Sequence, residues 1–347
     1  MSTPKELGYF FPAEWEPHEA TWLTFPCHED SFPGMMKEAV DVFMKFVKVI
    51  SQGEKVRINV QDENVRQKVL EFIPEYGIDR NKIELFIHPS DDVWCRDHGP
   101  AFLINPAVAD GNKKVIVNWG FNAWGGKYPF ANDNAIPGLI ADKLGFRVFS
   151  PGVIMEGGSV EFNGEGVIMT TKACLLNKNR NPHLSQYQIE QYLLNYYGAE
   201  EIHWLNDGIA GDDTDGHIDD VVRFVSENTV IIMAEPDRND VNHEALKQNL
   251  KLLKNIKLRD GSSLEIIDIP MPEPVYHDGR RLPASYANFY ITNTAVVVPV
   301  FNSKNDKIAV DIFTSLFPGR RIEPVESTSL VWGFGSFHCL SQQEPLV

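Results

Sequence analysis

Short apolar runs broken by polar turns recur along the chain, and each run has a length typical of a β-strand. The stretch SVEFNGEGVIMTT, residues 159–171, has one run on each side of Asn163-Gly164, a dipeptide that favours a tight hairpin. VVRFVSENTVIIMAE (221–235) and NFYITNTAVVVPVF (288–301) have the same form, and AFLIN and KVIVN flank an ADGN turn. The pattern predicts four antiparallel hairpins.

Each predicted hairpin is followed by apolar residues at helical spacing and then by one more short apolar run. In SQYQIEQYLLNYYG, Ser185 is the expected N-cap and Gly198 the expected stop. NAIPGLIADKLGF, NHEALKQNLKLLKNI and NDKIAVDIFTSLFPG predict three more helices. The runs that come after them, FRVFS, EEIHW, LEIIDI and RRIEPV, are predicted strands.

The N-terminal part of the chain contains an incomplete copy of the same unit. EATWLTFP is a predicted strand, MMKEAVDVFMKFVKVI a helix and VRINV a strand, followed by a short helix, NVRQKVLEFI, and the strand IELFIH. One strand is missing from this copy, and we predict that the segment after Cys339 supplies it. The chain then consists of five ββαβ-like units. Because such units bury their apolar faces only against neighbours, we expect the five to close into a ring.

Composition is typical of a globular protein. Of 347 residues, 43% are hydrophobic and 23% are charged, and no linker divides them, so we expect a single domain over residues 1–347. The four cysteines form no CxxC pair, which argues against a zinc ribbon and a disulfide framework and indicates a reducing compartment. The N-terminal segment lacks the apolar core of a signal peptide, and no apolar run reaches the roughly 18 residues of a membrane span. We therefore expect a soluble, cytoplasmic protein.

The formal net charge of −16 bears on the partners of the protein. With no basic run in the sequence, nucleic acid and anionic membrane surfaces are unfavourable partners, whereas a cationic small molecule is electrostatically favoured. Subunit interfaces leave no readable pattern, so a homo-oligomer is neither predicted nor excluded.

Side chains capable of chemistry follow the last strand of four of the five predicted units. The segments are PSDDVWCRDHGP, PGVIMEGGS, LNDGIAGDDTDGHIDD and ESTSLVWGFGSFHC. Nearly equal lengths of chain separate Asp97, Glu156 and His217. A closed ring would therefore bring these three together with Asp219 and Cys339 in one cavity, which would contain a thiol, an imidazole and three carboxylates.

The fifth junction, PMPEPVYHDGRRLPASYAN, is longer and rich in proline, and it is predicted to form a rim or lid instead of a reaction site, with residues 271–287 as its lid-like part. Taken singly, the ionisable residues at the other four junctions have ordinary structural explanations. Asp97 beside Arg96 is typical of a salt-bridged aspartate, and the run Asp212, Asp213 and Asp215 is typical of a solvated loop. Because these reactive residues occur at equivalent points of successive units, the sequence favours a catalytic site.

The motifs DDVWCRDHGP, NWGFNAWGGKYPFANDN, EGGSVEFNGEG, TDGHIDD and FHCLSQQ resemble those of the agmatine deiminase family, among the guanidino-group modifying enzymes. The resemblance covers nearly the whole chain and implies a five-bladed pseudo-symmetric α/β-propeller of ββαβ units, the pentein fold, forming one catalytic domain. It implies hydrolysis of agmatine to N-carbamoylputrescine and ammonia through a covalent cysteine thiouronium intermediate, a step of putrescine and polyamine metabolism. The same grouping includes bacterial peptidylarginine deiminases.

Carried over motif by motif, the resemblance also implies a role for each site residue. Cys339 resembles the nucleophile and His217 the general acid and base. Asp97 and Asp219 resemble the carboxylates that bind the guanidinium, and Glu156 resembles the carboxylate beside the histidine. Neither a metal nor a cofactor is implied.

Two further residues are predicted to bind substrate: Trp94, as a wall beside the guanidinium, and Asp213, as the partner of a terminal ammonium. The glycines before Cys339 are expected to let the backbone approach the ligand. That segment reads GFGSFHC where the family more commonly has GGGNIHC, and DDTDGHIDD stands where many plant-type members have TNGHIDN. Clustered carboxylates are expected to raise the pKa of Cys339, so that the thiolate depends on His217 or on the incoming cation.

Four alternatives remain open. A deiminase of peptidyl-arginine or free arginine would use the same residues, and a free α-carboxylate would call for a pocket arginine such as Arg96, Arg180 or Arg223. A metal-dependent ureohydrolase would use DDTDGHIDD as ligands but leaves Cys339 unexplained. An amidinotransferase needs an amine acceptor, and a propeller acting only as a binding scaffold needs no reactive side chains.

Overall fold

The computed structural model describes residues 2–109 and 111–347 as a mixed α/β fold built from small sheets. Asp110, in the predicted ADGN turn, lies outside the described residues. The strands are β1 (His18–Thr24), β2 (Lys55–Val60), β3 (Ile83–Ile87), β4 (Ala101–Ile104), β5 (Lys114–Val117), β6 (Arg147–Phe149), β7 (Val160–Phe162), β8 (Val167–Thr171), β9 (Glu201–Leu205), β10 (Val222–Phe224), β11 (Thr229–Ala234), β12 (Glu265–Pro270), β13 (Tyr276–His277), β14 (Arg280–Arg281), β15 (Tyr290–Ile291), β16 (Ala295–Val300), β17 (Arg321–Glu326) and β18 (Ser341–Pro345). The helices are α1 (Met36–Ile50), α2 (Glu63–Glu75), α3 (Cys95–His98), α4 (Ala123–Gly126), α5 (Ile136–Leu144), α6 (Lys172–Leu175), α7 (Gln186–Tyr197), α8 (His243–Asn255), α9 (Asp306–Leu316), α10 (Thr328–Val331) and α11 (Phe337–Leu340).

Four three-stranded sheets share one arrangement. Their orders are β4-β5-β6, β7-β8-β9, β10-β11-β12 and β15-β16-β17. In each, the first two strands are antiparallel and the third is parallel to the second. The connection between the second and third strands contains α5, α7, α8 or α9. The predicted ββαβ pattern is confirmed in all four sheets.

The sheet β18-β1-β2-β3 confirms that the end of the chain completes the first unit. β18 runs antiparallel to β1, with Ser341 opposite Leu23 and Gln343 opposite Thr21, and β1, β2 and β3 are parallel to one another. Cys339 lies in α11, immediately before β18. The chain therefore returns to its first sheet directly after Cys339.

The predicted ends of α7 are also confirmed. The Ser185 side chain accepts a hydrogen bond from the Gln188 N–H while the Gln188 side chain accepts from the Ser185 N–H, and Gly198 ends the helix with a φ of 68°. In the described part of the chain, no helix is long and apolar enough to cross a membrane.

Each unit packs against the next along the chain. The contacts between units join β18 to β4, β7 to β10 and β12 to α9, and α1 of the first unit packs against β16 and β17 of the fifth. The second and third units share an apolar cluster that includes Leu103, Val115, Val160 and Ile168. These contacts direct the segments that follow the third strands towards one another.

Candidate active site

The segments that follow the third strands meet at a pocket of about 290 Å³. Asp97 lies on α3, after β3, and Glu156 follows β6; His217 and Asp219 follow β9, and Cys339 lies on α11, after β17. Asp97 and Cys339 form part of the pocket lining. The other three side chains are completely buried behind them. A ligand entering this pocket therefore meets Asp97 and Cys339 first.

The five side chains lie within a few ångströms of one another. His217 Nδ1 is 3.7 Å from Asp97 Oδ1 and 4.0 Å from Asp219 Oδ1, and Cys339 Sγ is 3.7 Å from Asp219 Oδ2. A carboxylate oxygen of Glu156 lies within 4.8 Å of a ring nitrogen of His217. Neither ring nitrogen of His217 has a hydrogen-bond partner among the described residues, so both are available to a bound molecule.

Gly158 makes this close packing sterically feasible. A Cβ at this position would lie 2.6 Å from His217 Nδ1, 2.9 Å from Asp97 Oδ1 and 3.0 Å from Asp219 Oδ2. The Gly158 N–H donates to Asp97 Oδ1 at 3.0 Å. No residue with a side chain fits here without separating the three ionisable groups.

Trp124, for which no role was predicted, orients Asp97. Its Nε1 donates to Asp97 Oδ2 at 2.9 Å. Ala123 and Trp124 have φ values of 49° and 54°, a left-handed conformation that disfavours residues with a side chain, and a Cβ on the following Gly125 would collide with Asn179. The turn thus contains backbone strain at the point where it directs the indole N–H at Asp97.

Arg180 holds Glu156 in place and ties the acidic loop to it. Arg180 Nε donates to Glu156 Oε1 at 2.6 Å, and the other end of the guanidinium bonds to Asp215 and to the Thr214 carbonyl oxygen. Asp212 accepts from backbone N–H groups of its own loop. Asp212 and Asp215 therefore stabilise the loop and do not face the pocket.

Burial and neighbouring charge change the proton affinity of the central groups. Burial raises the pKa of Asp97 to about 6, and the nearby Asp219 acts in the same direction. Burial opposes the charged forms of His217 and Asp219, but the surrounding carboxylates raise the pKa of His217, and hydrogen-bonded His338 lowers that of Asp219. Burial, followed by the adjacent aspartates, raises the pKa of Cys339 well above its ordinary value, as predicted. The Cys339 thiol is therefore protonated at neutral pH in the free protein.

Aromatic rings form the walls of the pocket. A Cβ on Gly335 would lie 2.5 Å from the Trp94 ring, and Gly333 packs in the same way on another ring. The glycines before Cys339 thus let the backbone approach these rings as well as the pocket. Phe334, between them, has a φ of 74°, and the guanidinium of Arg280 lies 4.2 Å above the centre of its ring.

Asp213 lines the pocket, but its carboxylate is already paired. The Tyr128 hydroxyl donates to Asp213 Oδ2 at 2.7 Å, and Arg280 Nη2 donates to Oδ1 at 3.2 Å. The lining also includes Asp30, Asp91 and Asp92. Among the described residues that line the pocket, there is no lysine or arginine.

The three arginines considered as partners of a substrate carboxylate are buried outside this lining. Arg96 pairs with Glu14, Arg223 pairs with Glu14 and Glu161, and Arg180 pairs as described above. Their charges are balanced within the protein, so none is available to a ligand.

One set of three metal-ligand types lies close together in the described ranges: Glu156, Cys174 and His217, with donor atoms within 4.8 Å of one another. The Arg180 guanidinium on Glu156 places a positive charge beside this set. Burial also raises the pKa of Cys174 well above its ordinary value, which opposes the thiolate form that a metal requires. The set is therefore a poor site for a divalent cation.

The fifth junction also reaches the centre of the site. Asn288 Nδ2 donates to Cys339 Sγ at 3.0 Å, and its Oδ1 accepts from the backbone N–H groups of His338 and Cys339. The prediction that this junction takes no part in the reaction site is therefore wrong for its last residue. An uncharged amide carries no signal in a search for ionisable groups. Residues 271–287 do reach the pocket rim, through Arg280.

Comparison with known proteins identifies the family. The model of the Porphyromonas-type peptidyl-arginine deiminase family matches residues 10–345. A protein of Legionella pneumophila (strain Paris) named "Putative agmatine deiminase" is 38% identical, over 99% of this chain and 97% of its own. The chain belongs to this family.

Solved structures of named family members are similar throughout. The agmatine deiminase of Enterococcus faecalis, described as catalysing its reaction, has a TM-score of 0.91 and 31% identity, over 99% of this chain and 98% of that one. A cysteine-to-serine variant of the C. jejuni agmatine deiminase with substrate bound has a TM-score of 0.87 and 32% identity, over 97% and 96% of the two chains. The resemblance predicted from the motifs is confirmed, and the chain is an enzyme of the guanidino-group modifying class.

Proposed function

We propose that the protein is an agmatine deiminase, which hydrolyses agmatine to N-carbamoylputrescine and ammonia. The observation that carries the proposal is the presence of Cys339 and Asp97 together in an acidic pocket with no lysine or arginine among its described lining residues. Such a pocket favours a small dication over a ligand with a carboxylate, because the Arg280 guanidinium at its mouth is already paired with Asp213. The relatives named as agmatine deiminases support the same substrate.

In this proposal two carboxylates hold the reacting group. A guanidinium is a planar cation whose N–H donors form a fixed fork, so it pairs well with carboxylates on two sides. Asp97 and Asp219 provide them, and the Asp97 pKa of about 6 keeps that group ionised at neutral pH. Trp94 stacks beside the cation as a wall.

The reaction then proceeds in two halves. The Cys339 thiolate attacks the central carbon to form a C–S bond, His217 gives a proton to the departing nitrogen, and the C–N bond breaks to release ammonia. His217 next takes a proton from water, which attacks the same carbon; the C–S bond breaks and returns the thiolate with the urea product. Glu156 supports the charged form of His217. Because the pKa of Cys339 is raised, the thiolate forms by proton transfer to His217 or on arrival of the cation.

Peptidyl-arginine is the second candidate substrate, because the matching family model carries that name. Side chains at the mouth contact one another: Arg280 lies over Phe334, and the Tyr128 hydroxyl bonds to Asp213.

We also infer that the five ββαβ sheets are the blades of a closed propeller forming a single catalytic domain. The packing of each unit on the next, and of α1 on β16 and β17, supports this arrangement. Polyamine formation in the cytoplasm is consistent with four free cysteines.

The test is incubation with agmatine, arginine and a peptidyl-arginine, with and without EDTA, while ammonia, urea and carbamoylated product are measured. We expect ammonia and N-carbamoylputrescine from agmatine, unaffected by EDTA and abolished in Cys339→Ser. Cys27→Ser, which alters a half-buried thiol outside this pocket, should retain activity. Urea that disappears with EDTA would instead indicate a metal-dependent ureohydrolase, and faster turnover of the peptide would reassign the substrate.

A further inference from the structure

Asn288 joins the fifth unit to Cys339 through both ends of its amide. Its Oδ1 accepts from the backbone N–H of His338 at 3.1 Å and from that of Cys339 at 3.2 Å. Its Nδ2 donates to Cys339 Sγ at 3.0 Å and to Asp220 Oδ1 at 3.0 Å. The residue is 1% exposed, so water does not compete for these bonds.

The orientation of this amide follows from its partners. Backbone N–H groups only donate, so they require the carbonyl oxygen of Asn288, and the NH₂ group must then face the Cys339 sulfur and Asp220. The loop that carries Asn288 is itself fixed, because the Ser285 hydroxyl donates to the Asp220 carbonyl oxygen at 2.8 Å and accepts from the Ala287 N–H at 3.1 Å.

We propose that Asn288 is a catalytic residue whose amide N–H stabilises the negative charge on the Cys339 sulfur, both in the attacking nucleophile and when the sulfur departs from the second adduct. This inference rests on the proposed role of Cys339 as nucleophile. Three carboxylates near the sulfur, those of Asp219, Asp220 and Asp97, disfavour a thiolate, and Asp219 Oδ2 lies 3.7 Å from the sulfur. A neutral donor is what such a site needs, because it stabilises the anion without repelling the cationic substrate.

Two substitutions separate the two ends of the amide. Asn288→Asp keeps an oxygen for the two backbone N–H groups but replaces the donor that faces the sulfur, whereas Asn288→Ala removes both. Asn293→Ala is the matched control: the Asn293 amide also holds backbone, accepting from the His18 N–H at 2.8 Å and donating to the His18 carbonyl oxygen at 2.9 Å, but it contacts none of the site residues.

The experiment follows the rate at which iodoacetamide alkylates Cys339 against pH, quantified by mass spectrometry of the peptide that contains it. Loss of the donor disfavours the thiolate and raises the pKa of Cys339, so at any pH on the rising limb less thiolate is present and alkylation is slower. We expect the midpoint to rise by about one pH unit in Asn288→Ala, a tenfold loss of thiolate, and by more in Asn288→Asp, whose added carboxylate also repels the thiolate. With agmatine, kcat should fall at least about tenfold, and Asn293→Ala should match the wild type.

Wild-type alkylation profiles in Asn288→Asp and in folded Asn288→Ala would overturn the proposal. Because alkylation needs no turnover, it decides the role of Asn288 even if the wild-type protein does not hydrolyse agmatine. Failure of the proposed function and failure of this inference are therefore distinguishable.

Discussion

Gly158 lies between three ionisable groups of the site, and the space that a Cβ would occupy is already filled. His217, Asp97 and Asp219 are buried in a closely packed interior, so they cannot move aside freely. We expect Gly158→Ala to displace His217 from the carboxylates and to lower kcat/KM for agmatine by at least about 100-fold, the loss typical of an ångström-scale misplacement. Steady-state kinetics and a thermal unfolding curve measure the two effects.

Gly138 provides the matched control. It lies within α5, no heavy atom is within 4 Å of a Cβ built on it, and its φ is outside the left-handed region. Gly138→Ala should keep wild-type kinetics and stabilise the protein by up to about 1 kcal/mol, because alanine favours the helix. Normal kinetics in Gly158→Ala would contradict the steric interpretation of the Gly157-Gly158 turn.

The charged and sulfur-containing residues of the site could be predicted, whereas those that act by hydrogen bonding could not. Asp97, His217 and Cys339 follow the third strands of the first, third and fifth units, so their convergence follows from the repeat itself. Trp124 and Asn288 reach their partners across unit boundaries. Neither an indole nor an amide carries a charge that marks it as catalytic, and their partners depend on tertiary packing that no spacing in the sequence encodes.

At the scale of elements, the hairpin β13–β14 and the turn at residues 333–335 form one side of the pocket mouth. Arg280 lies over Phe334 and donates to Asp213, and the His277 ring lies 3.6 Å from that of Trp332. Phe334 stands where the family more commonly has glycine, and its φ of 74° costs about 1 kcal/mol or more. The strain places an aromatic ring under the Arg280 guanidinium.

We expect Arg280 to compete with the terminal ammonium of agmatine for the Asp213 carboxylate. Arg280→Ala removes a positive charge from the mouth and frees Asp213 Oδ1, so the KM for agmatine should fall about threefold, within the range of an exposed ion pair, with kcat unchanged. Steady-state kinetics with agmatine and with butylguanidine, which lacks the ammonium, provide the measurement. The KM for butylguanidine should not fall.

Arg238→Ala controls for net charge, because Arg238 is exposed and outside the pocket. Suppose that the KM for agmatine rises in Arg280→Ala and keeps its wild-type value in Arg238→Ala. The β13–β14 hairpin would then close over the substrate instead of competing with it for Asp213.

At the scale of the whole molecule, the repeated order of strands and helices could be predicted because hairpin dipeptides and helix caps mark each unit. The position of β18 could be predicted because the first unit lacked a strand. The buried ionic contacts between distant parts of the chain could not. Glu14, for example, pairs with both Arg96 and Arg223, and such partners are defined only once the units have packed.

Glu344 shows how the end of the chain is held. It lies on β18 and is completely buried. Its carboxylate accepts from Trp22 Nε1 at 2.8 Å, from Lys114 Nζ at 2.7 Å and from the Arg57 guanidinium. Trp22 and Arg57 lie on β1 and β2, and Lys114 lies on β5 of the second unit. Glu344 is therefore the buried carboxylate that two cations share where the last strand meets the first two units, and the partly exposed Glu19 pairs with the same two cations.

Glu344→Ala should destabilise the whole protein. It removes the buried anion that Arg57 and Lys114 share and leaves them only the partly exposed Glu19 and Glu84, so we expect the free energy of unfolding in urea to fall by about 3 kcal/mol. Glu71→Ala, which removes an exposed carboxylate on α2, should stay within about 0.5 kcal/mol of the wild type. Because β18 begins two residues after Cys339, a loss of kcat with an unchanged free energy of unfolding would mean that Glu344 positions the nucleophile without holding the first unit together.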